Sequence, residues 1–142
     1  MAIILQSANL SVSPDAAWDI VDRFMRADIR VFSIIEDLRI EGSLRTVTSG
    51  GGIEYQELNI TIDPDNMYAS YTLPEIWEAT YHHGCMRVFD IGDGRCRFEW
   101  ITDVAPDSWV VEHGEFMDKL WSDLVKVVET GVEAPWPAVA VD

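Results

Sequence analysis

The chain has 142 residues, and Asp and Glu outnumber Lys and Arg 25 to 10, giving a formal net charge of −15 at pH 7. Such a surface repels phosphate backbones and anionic lipid, which argues against a nucleic-acid partner. With 48% hydrophobic and 11% aromatic residues the sequence is that of one ordered domain, and no apolar run approaches the ~20 residues of a membrane span.

Residues 3–12 read as a first strand, ended by the turn SVSP. Ser13 followed by Pro14 is an N-cap with proline at the first helical position, and it predicts a helix over PDAAWDIVDRFMR. Ala17, Ile20, Val21, Phe24 and Met25 form its apolar side. Residues 28–34 are expected to make a second short helix. From Glu36 the period changes to alternation, with strands over 38–41 and 44–49 separated by a turn at Gly42. Gly50-Gly51-Gly52 leads into a strand over 53–62, and the DPDN turn into another over 67–73. Pro74 interrupts, residues 77–91 read as a long strand, and Gly92-Asp93-Gly94 turns the chain into 95–104.

Ala105 and Pro106 close that strand, and a helix of ~24 residues, ~36 Å long, follows. The side chain of Asp107 or Ser108 is expected to cap it, and Gly131 to end it in left-handed geometry. Val110, His113/Gly114, Met117, Leu120/Trp121, Leu124/Val125 and Val128 recur at helical spacing. That stripe mixes large groups with a bare Gly114 and a polar His113, which suits a lid over a cavity better than a plain core helix. The expected fold is therefore α+β, a seven-stranded antiparallel sheet with two short helices after strand 1 and a long C-terminal helix. The domain is expected over 1–131, with 132–142 a tail whose Trp136 and valines dock on the fold or a partner, or stay mobile.

Several motifs in order carry a family likeness: Ser13-Pro14 with Trp18, Gly42 before Leu44-Arg45, Tyr55-Gln56-Glu57-Leu58 and the DPDN turn. Tyr68-Ala69-Ser70-Tyr71, Val88 ahead of Gly92-Asp93-Gly94, Cys96 to Trp100 and Ala105-Pro106 complete it. Over roughly 3–130 the chain resembles the START/Bet v 1-like (SRPBCC) superfamily, and within it the polyketide cyclase/dehydrase branch. The resemblance implies a helix-grip fold with an internal cavity for a small hydrophobic or aromatic ligand. It does not imply one activity, since the superfamily holds aromatase/cyclases alongside lipid, hormone and quinone binders.

Alternation indicates what would line that cavity. Over 95–104 the charged Arg97, Glu99 and Asp103 share one face, which turns Cys96, Phe98, Trp100 and Thr102 to the covered side. A three-residue loop at 92–94 puts Ile91 opposite Arg95, Glu99 opposite Arg87 and Asp103 opposite His83, with Met86 and His82 inside. A two-residue turn moves the pairing by one and turns His83 and Arg87 inward instead. The first register pairs charges on the outer face and is preferred. The same reasoning sets Arg45 against Glu57 and Val47 against Tyr55. Beyond Glu57 the apolar set becomes Leu58, Ile60 and Ile62, which calls for a bulge near Leu58.

The candidate catalytic residues are Arg45, Glu57, Tyr71, His82 and His113. Arg45–Glu57 is either an ion pair that fixes register or a guanidinium offered to an enolate oxygen, the role the resemblance gives a cavity arginine. Tyr71 donates a phenolic hydrogen bond or only packs, and His113 is a general base or a packed neighbour. Tyr55, Met86, Phe98, Trp100, Met117 and Trp121 are the candidate ligand-binding residues, while Trp18, Trp77 and Trp109 are taken as structural.

No metal-ligand spacing or cofactor fingerprint is visible. Cys85 and Cys96 are expected about five residues out of register, too far apart for a disulfide. The first residues lack a basic region and a cleavage site, so a cytoplasmic location is expected. A homodimer stays open. The function expected is a cyclase, aromatase or dehydratase on a polyketide-like molecule, or alternatively a non-catalytic carrier of a lipid, quinone or aromatic. An enzyme needs several polar groups converging in the cavity, and a carrier needs mainly apolar wall.

Overall fold

In a computed structural model that describes residues 1–135, alternation makes β1 (Ala2–Leu10), with Ile4, Gln6, Ala8 and Leu10 turned inward and Ile3 and Leu5 outward. Ser13 then caps α1 (Pro14–Met25), its Oγ accepting from the Ala16 N–H at 3.2 Å. The strands that follow are β2 (Ile35–Glu41), β3 (Leu44–Ser49), β4 (Ile53–Asp63), β5 (Tyr68–Thr72), β6 (Tyr81–Gly92) and β7 (Arg95–Ala105). The chain ends its regular structure with α2 (Ser108–Thr130). The seven strands form one antiparallel sheet in the order β1-β7-β6-β5-β4-β3-β2. Both helices bury their apolar stripes in a single core against its inner face.

The expected second short helix does not form. Ala27 adopts left-handed geometry (φ 58°), the Asp28 N–H reaches the Arg23 carbonyl at 2.8 Å, and the Ala27 N–H reaches that of Phe24. These two bonds are a Schellman ending made on alanine instead of glycine. Residues 28–34 then run irregularly with Ile29, Arg30, Val31 and Phe32 buried. The Arg30 amide donates to Glu133 Oε1 and its carbonyl accepts from the Ala134 N–H, both at 2.9 Å. Its guanidinium donates to the carbonyls of Ala134 and Ile35. Those bonds tie the segment after α2 to the segment after α1. Trp136 lies outside the described residues.

Three further expectations are corrected. The strand expected from residue 77 starts at Tyr81, because Trp77 and Glu78 have positive φ (28° and 62°) and the Ala79 N–H turns back to the Ile76 carbonyl. The bulge in β4 falls at Ile60, between the pairs Asn59↔Tyr71 and Thr61↔Ser70. Leu58 and Ile60 are therefore exposed, and only Ile62 is turned inward, opposite buried Ala69. Asp107 occupies the N-cap of α2 but makes no capping bond, since its carboxylate pairs with the Met1 ammonium at 2.8 Å. Gly131 ends α2 in left-handed geometry (φ 70°), as expected.

The β6–β7 register is the charge-paired one, with His82↔Val104, His83↔Asp103, Met86↔Trp100 and Arg87↔Glu99. It arises by another route than expected. Gly92, not Ile91, stands opposite Arg95, the turn is the two residues Asp93-Gly94, and a shift after Asp90 restores the pairing. Cys85 faces Ile101 and Cys96 faces Asp90, so the two thiols are free and apart.

Candidate functional site

Between the N-terminal half of α2, the inner faces of β3 to β7 and the 74–80 loop lies a cavity of about 190 Å³. A cavity of ~150 Å³ suffices for benzene, so this one has room for a compact aromatic molecule. Phe32, Tyr55, Tyr71, Trp77, Trp100, Trp109 and Phe116 give it an aromatic wall, filled in by aliphatic groups such as Val47, Leu73 and Met117. Ile53, Glu54, Glu75 and Trp77, all exposed, surround its mouth. Inside, the polar lining is Glu57, Tyr71 and His82.

The β3 alternation that buries Arg45, Val47 and Ser49 places a guanidinium in the core. Arg45 Nη1 contacts Glu57 Oε2 at 2.6 Å, and its Nε donates to Asn59 Oδ1 at 2.8 Å. Asn59 in turn donates to the Met25 carbonyl at the end of α1 (2.6 Å). The guanidinium carbon sits 4.6 Å from the centre of the Phe24 ring and 5.3 Å from that of Tyr71. Arg45 is fully buried and does not line the cavity, so the reading in which it faces a ligand is corrected. Glu57 stands in front of it. Glu57 Oε2 is turned to Arg45 and buried, which leaves Oε1 as the oxygen that meets the cavity.

Tyr71 is 4% exposed, and its hydroxyl accepts from Trp100 Nε1 at 2.9 Å, so its own proton is free to point elsewhere. Burial, followed by the nearby Glu57 charge, pushes its pKa well above the usual phenol value. Its ring packs closely against Gly84, its partner across the β5–β6 ladder. A Cβ built on Gly84 would stand 2.6 Å from the Tyr71 ring. Gly84→Ala is therefore expected to cost about 1–3 kcal/mol by overpacking. In a Tyr71→Leu background the same change should cost little, and urea unfolding of the four proteins checks it.

His82 lies inside, and its Nδ1 accepts from the Leu73 N–H at 3.1 Å. The neutral ring then carries its proton on Nε2. Burial, helped by His83, pulls its pKa down to about 4. His82 is thus neutral near pH 7, with Nε2–H the group it can donate. The unfolded ring titrates near ~6.5, so between there and about 4 the unfolded chain holds a proton that the native one lacks. Stability is therefore lost as pH falls through that window, by roughly 2–3 kcal/mol between pH 7 and pH 4.5. His82→Gln should remove this part of the fall in urea titrations, and parallel curves for the two proteins would refute it.

The remaining candidates divide. Tyr55, Trp100 and Met117 line the cavity. Met86 and Phe98 are fully buried core residues away from it, and Trp121 stacks on Phe98 at 5.6 Å (12° between planes) instead of facing a ligand. The α2 stripe buries Met117, Leu120, Leu124 and Val128 as expected and adds Trp109 and Val127, while Val110, His113, Gly114, Trp121 and Val125 are partly buried. His113 consequently sits at its edge, its ring 4.7 Å from Trp109 and 5.0 Å from Trp77, outside the cavity lining. Trp77 and Trp109, taken as structural, are wall residues, with Trp77 stacked on Trp109 at 6.2 Å and edge-on to Phe116 at 5.1 Å. The spacing of Trp109, Phe116 and Leu120 along one helix face was the available signal for Trp109; Trp77, in the 74–80 loop, had none.

No helix among the described residues is long and apolar enough to cross a membrane, and none of their His, Cys, Asp and Glu side chains cluster in threes as metal ligands would. No family model and no curated protein matches the chain. Solved structures do. The protein XoxI from Bacillus cereus aligns over 92% of this chain and 95% of its own, with a TM-score of 0.78 and 18% identity. Norcoclaurine synthase from Thalictrum flavum, in complex with dopamine and hydroxybenzaldehyde, aligns over 89% of this chain and 86% of its own (TM-score 0.66, 17% identity). The di-domain ARO/CYC BexL of the BE-7585A biosynthetic pathway aligns over 92% of this chain and 48% of its own (TM-score 0.72, 12% identity). At these identities the likeness shows the fold, a Bet v 1-like helix grip.

Proposed function

We propose that the protein binds a compact oxygenated aromatic or poly-carbonyl molecule in this cavity and acts on it as a cyclase, aromatase or dehydratase. The supporting observation is the convergence of three polar groups of different kind, Glu57, Tyr71 and His82, in a cavity otherwise walled by aromatic and aliphatic side chains. An acyl chain or quinone carrier has no use for a carboxylate held in such surroundings. Two of the structural neighbours add to the reading: norcoclaurine synthase, whose structure holds dopamine and hydroxybenzaldehyde, and the ARO/CYC protein BexL of a biosynthetic pathway.

In this proposal Glu57 Oε1 takes a proton from the carbon beside a ligand carbonyl. Tyr71 O–H and His82 Nε2–H donate to the oxygen on which the negative charge gathers. The enolate carbon then attacks a second carbonyl of the same molecule, closing a ring. Protonated Glu57 returns its proton to the new alkoxide, giving a hydroxyl. In a following dehydration Glu57 takes the proton from the adjacent carbon and delivers it to that hydroxyl, which leaves as water while the carbon–carbon double bond forms. Charge moves from Glu57 to the ligand and back, so Arg45 holds the site near neutrality throughout without touching the ligand. Confinement by the wall supplies the folded geometry, worth up to ~7–11 kcal/mol in favourable cases.

The test is native mass spectrometry of protein purified from cells for a retained molecule, followed by incubation of small phenols and 1,3-diketones with the protein. A retained or bound aromatic that is cyclised or dehydrated supports the proposal. Tight binding with no conversion of any ligand leaves a carrier. Absence of binding by every aromatic tried overturns the cavity reading itself.

A further inference from the structure

Every charged side chain on the cavity wall is a carboxylate: Glu57 within, Glu54 and Glu75 at the mouth. Arg45 is sealed behind Glu57, so the pair forms a dipole whose negative end faces the ligand. At the mouth, Arg39 contacts Glu54 at 3.3 Å from the outer side, both groups being exposed, and Glu75 has no ion-pair partner among the described residues. His82 is neutral, with Nδ1 occupied by a backbone N–H. The chain as a whole carries −15, which deepens the negative potential of any opening. The mouth carboxylates stand beside the Tyr55 and Trp77 rings on the same wall. Carboxylates and π faces together attract an ammonium group and reject an anion.

We propose that this cavity selects its ligand by charge, taking an aromatic amine with its ammonium group at the Glu54–Glu75 mouth and refusing aromatic carboxylates and phosphate esters. The proposal rests on the reading of the cavity as a binding site for aromatics, and it narrows that reading to one class. It also separates this chain from a carrier of fatty acids or other anionic lipids, whose headgroups would meet three carboxylates and, among the described residues, only Arg39 at the rim, already paired with Glu54.

Three probes of nearly equal shape test it: 2-naphthylmethylamine, 2-naphthalenemethanol and 2-naphthoate, titrated against tryptophan fluorescence at pH 7 and low salt. The amine is expected to bind about three- to thirtyfold more tightly than the alcohol, the range of a cation–π contact. The carboxylate should bind more weakly than the alcohol, and raising the salt should shrink both differences. The double variant Glu54→Gln/Glu75→Gln, in which both changes are on exposed side chains, should bring the amine to the affinity of the alcohol while leaving the alcohol unchanged. An amine no tighter than the alcohol, or a carboxylate as tight as either, overturns the charge selection while leaving the cavity reading intact. Failure of all three to bind overturns both.

Discussion

Replacing Arg45 by methionine is expected to destabilise the protein by about 3–5 kcal/mol, the penalty of leaving one member of a buried ion pair alone. Glu57, 7% exposed, would then face the dry interior without its 2.6 Å contact, and Asn59 Oδ1 would lose its donor. The cavity between the Phe24 and Tyr71 rings left by the guanidinium would be partly refilled by the methionine, so most of the loss is electrostatic. Replacing both partners, Arg45→Met with Glu57→Leu, is expected to recover most of the stability, because no uncompensated charge remains. Guanidinium-chloride unfolding of the wild type, the two single variants and the double variant completes the cycle. Additive losses in the double variant would mean that the pair does not act as a unit.

On a ligand that the wild type converts, Glu57→Gln is expected to lower turnover by about 10²–10⁴-fold, the usual contribution of a positioned proton acceptor. Glutamine keeps the shape and a carbonyl oxygen for Arg45, so neutral ligands should still bind within a few-fold of wild type. Tyr71→Phe and His82→Gln should lower turnover less, since each removes one of two donors to the same oxygen. Full activity in Glu57→Gln would remove the carboxylate from the chemistry and leave it as a structural partner of Arg45. Loss of ligand binding together with turnover would assign it to recognition instead.

The sheet was legible in the sequence because its outer face carries its own labels. Arg87 against Glu99 and Asp103 against His83 favour one register without reference to the core, and the glycine turn at 50–52 sets another, in which Arg45 meets Glu57 on the inner face. What lay on the inner face of a given strand followed from parity, and what lay in front of what did not. Both Arg45 and Glu57 are inward, but only packing of Phe24 and Tyr71 around the guanidinium decides that the carboxylate meets the cavity. Irregular segments were the least readable. The left-handed Ala27, and Trp77 with Glu78, carry no glycine to announce the change of direction, so the sequence suggests a second helix just after the one and a strand beginning at the other. The misplacement of Trp77 and Trp109 follows from the same loop, because the 74–80 segment brings one onto the other.

The first strand hydrogen-bonds to the last, Ala2 standing opposite Val104 and Leu10 opposite Cys96. Acquiring that ladder requires segments far apart in the chain to meet before either is rewarded, so refolding should be slow for a protein of this size, in milliseconds to seconds. During synthesis β1 must wait for β7 to emerge, with the inward Ile4, Ala8 and Leu10 bare in the meantime. A surplus of negative charge is then a safeguard, keeping half-made molecules apart while their sheet still has an unfinished border.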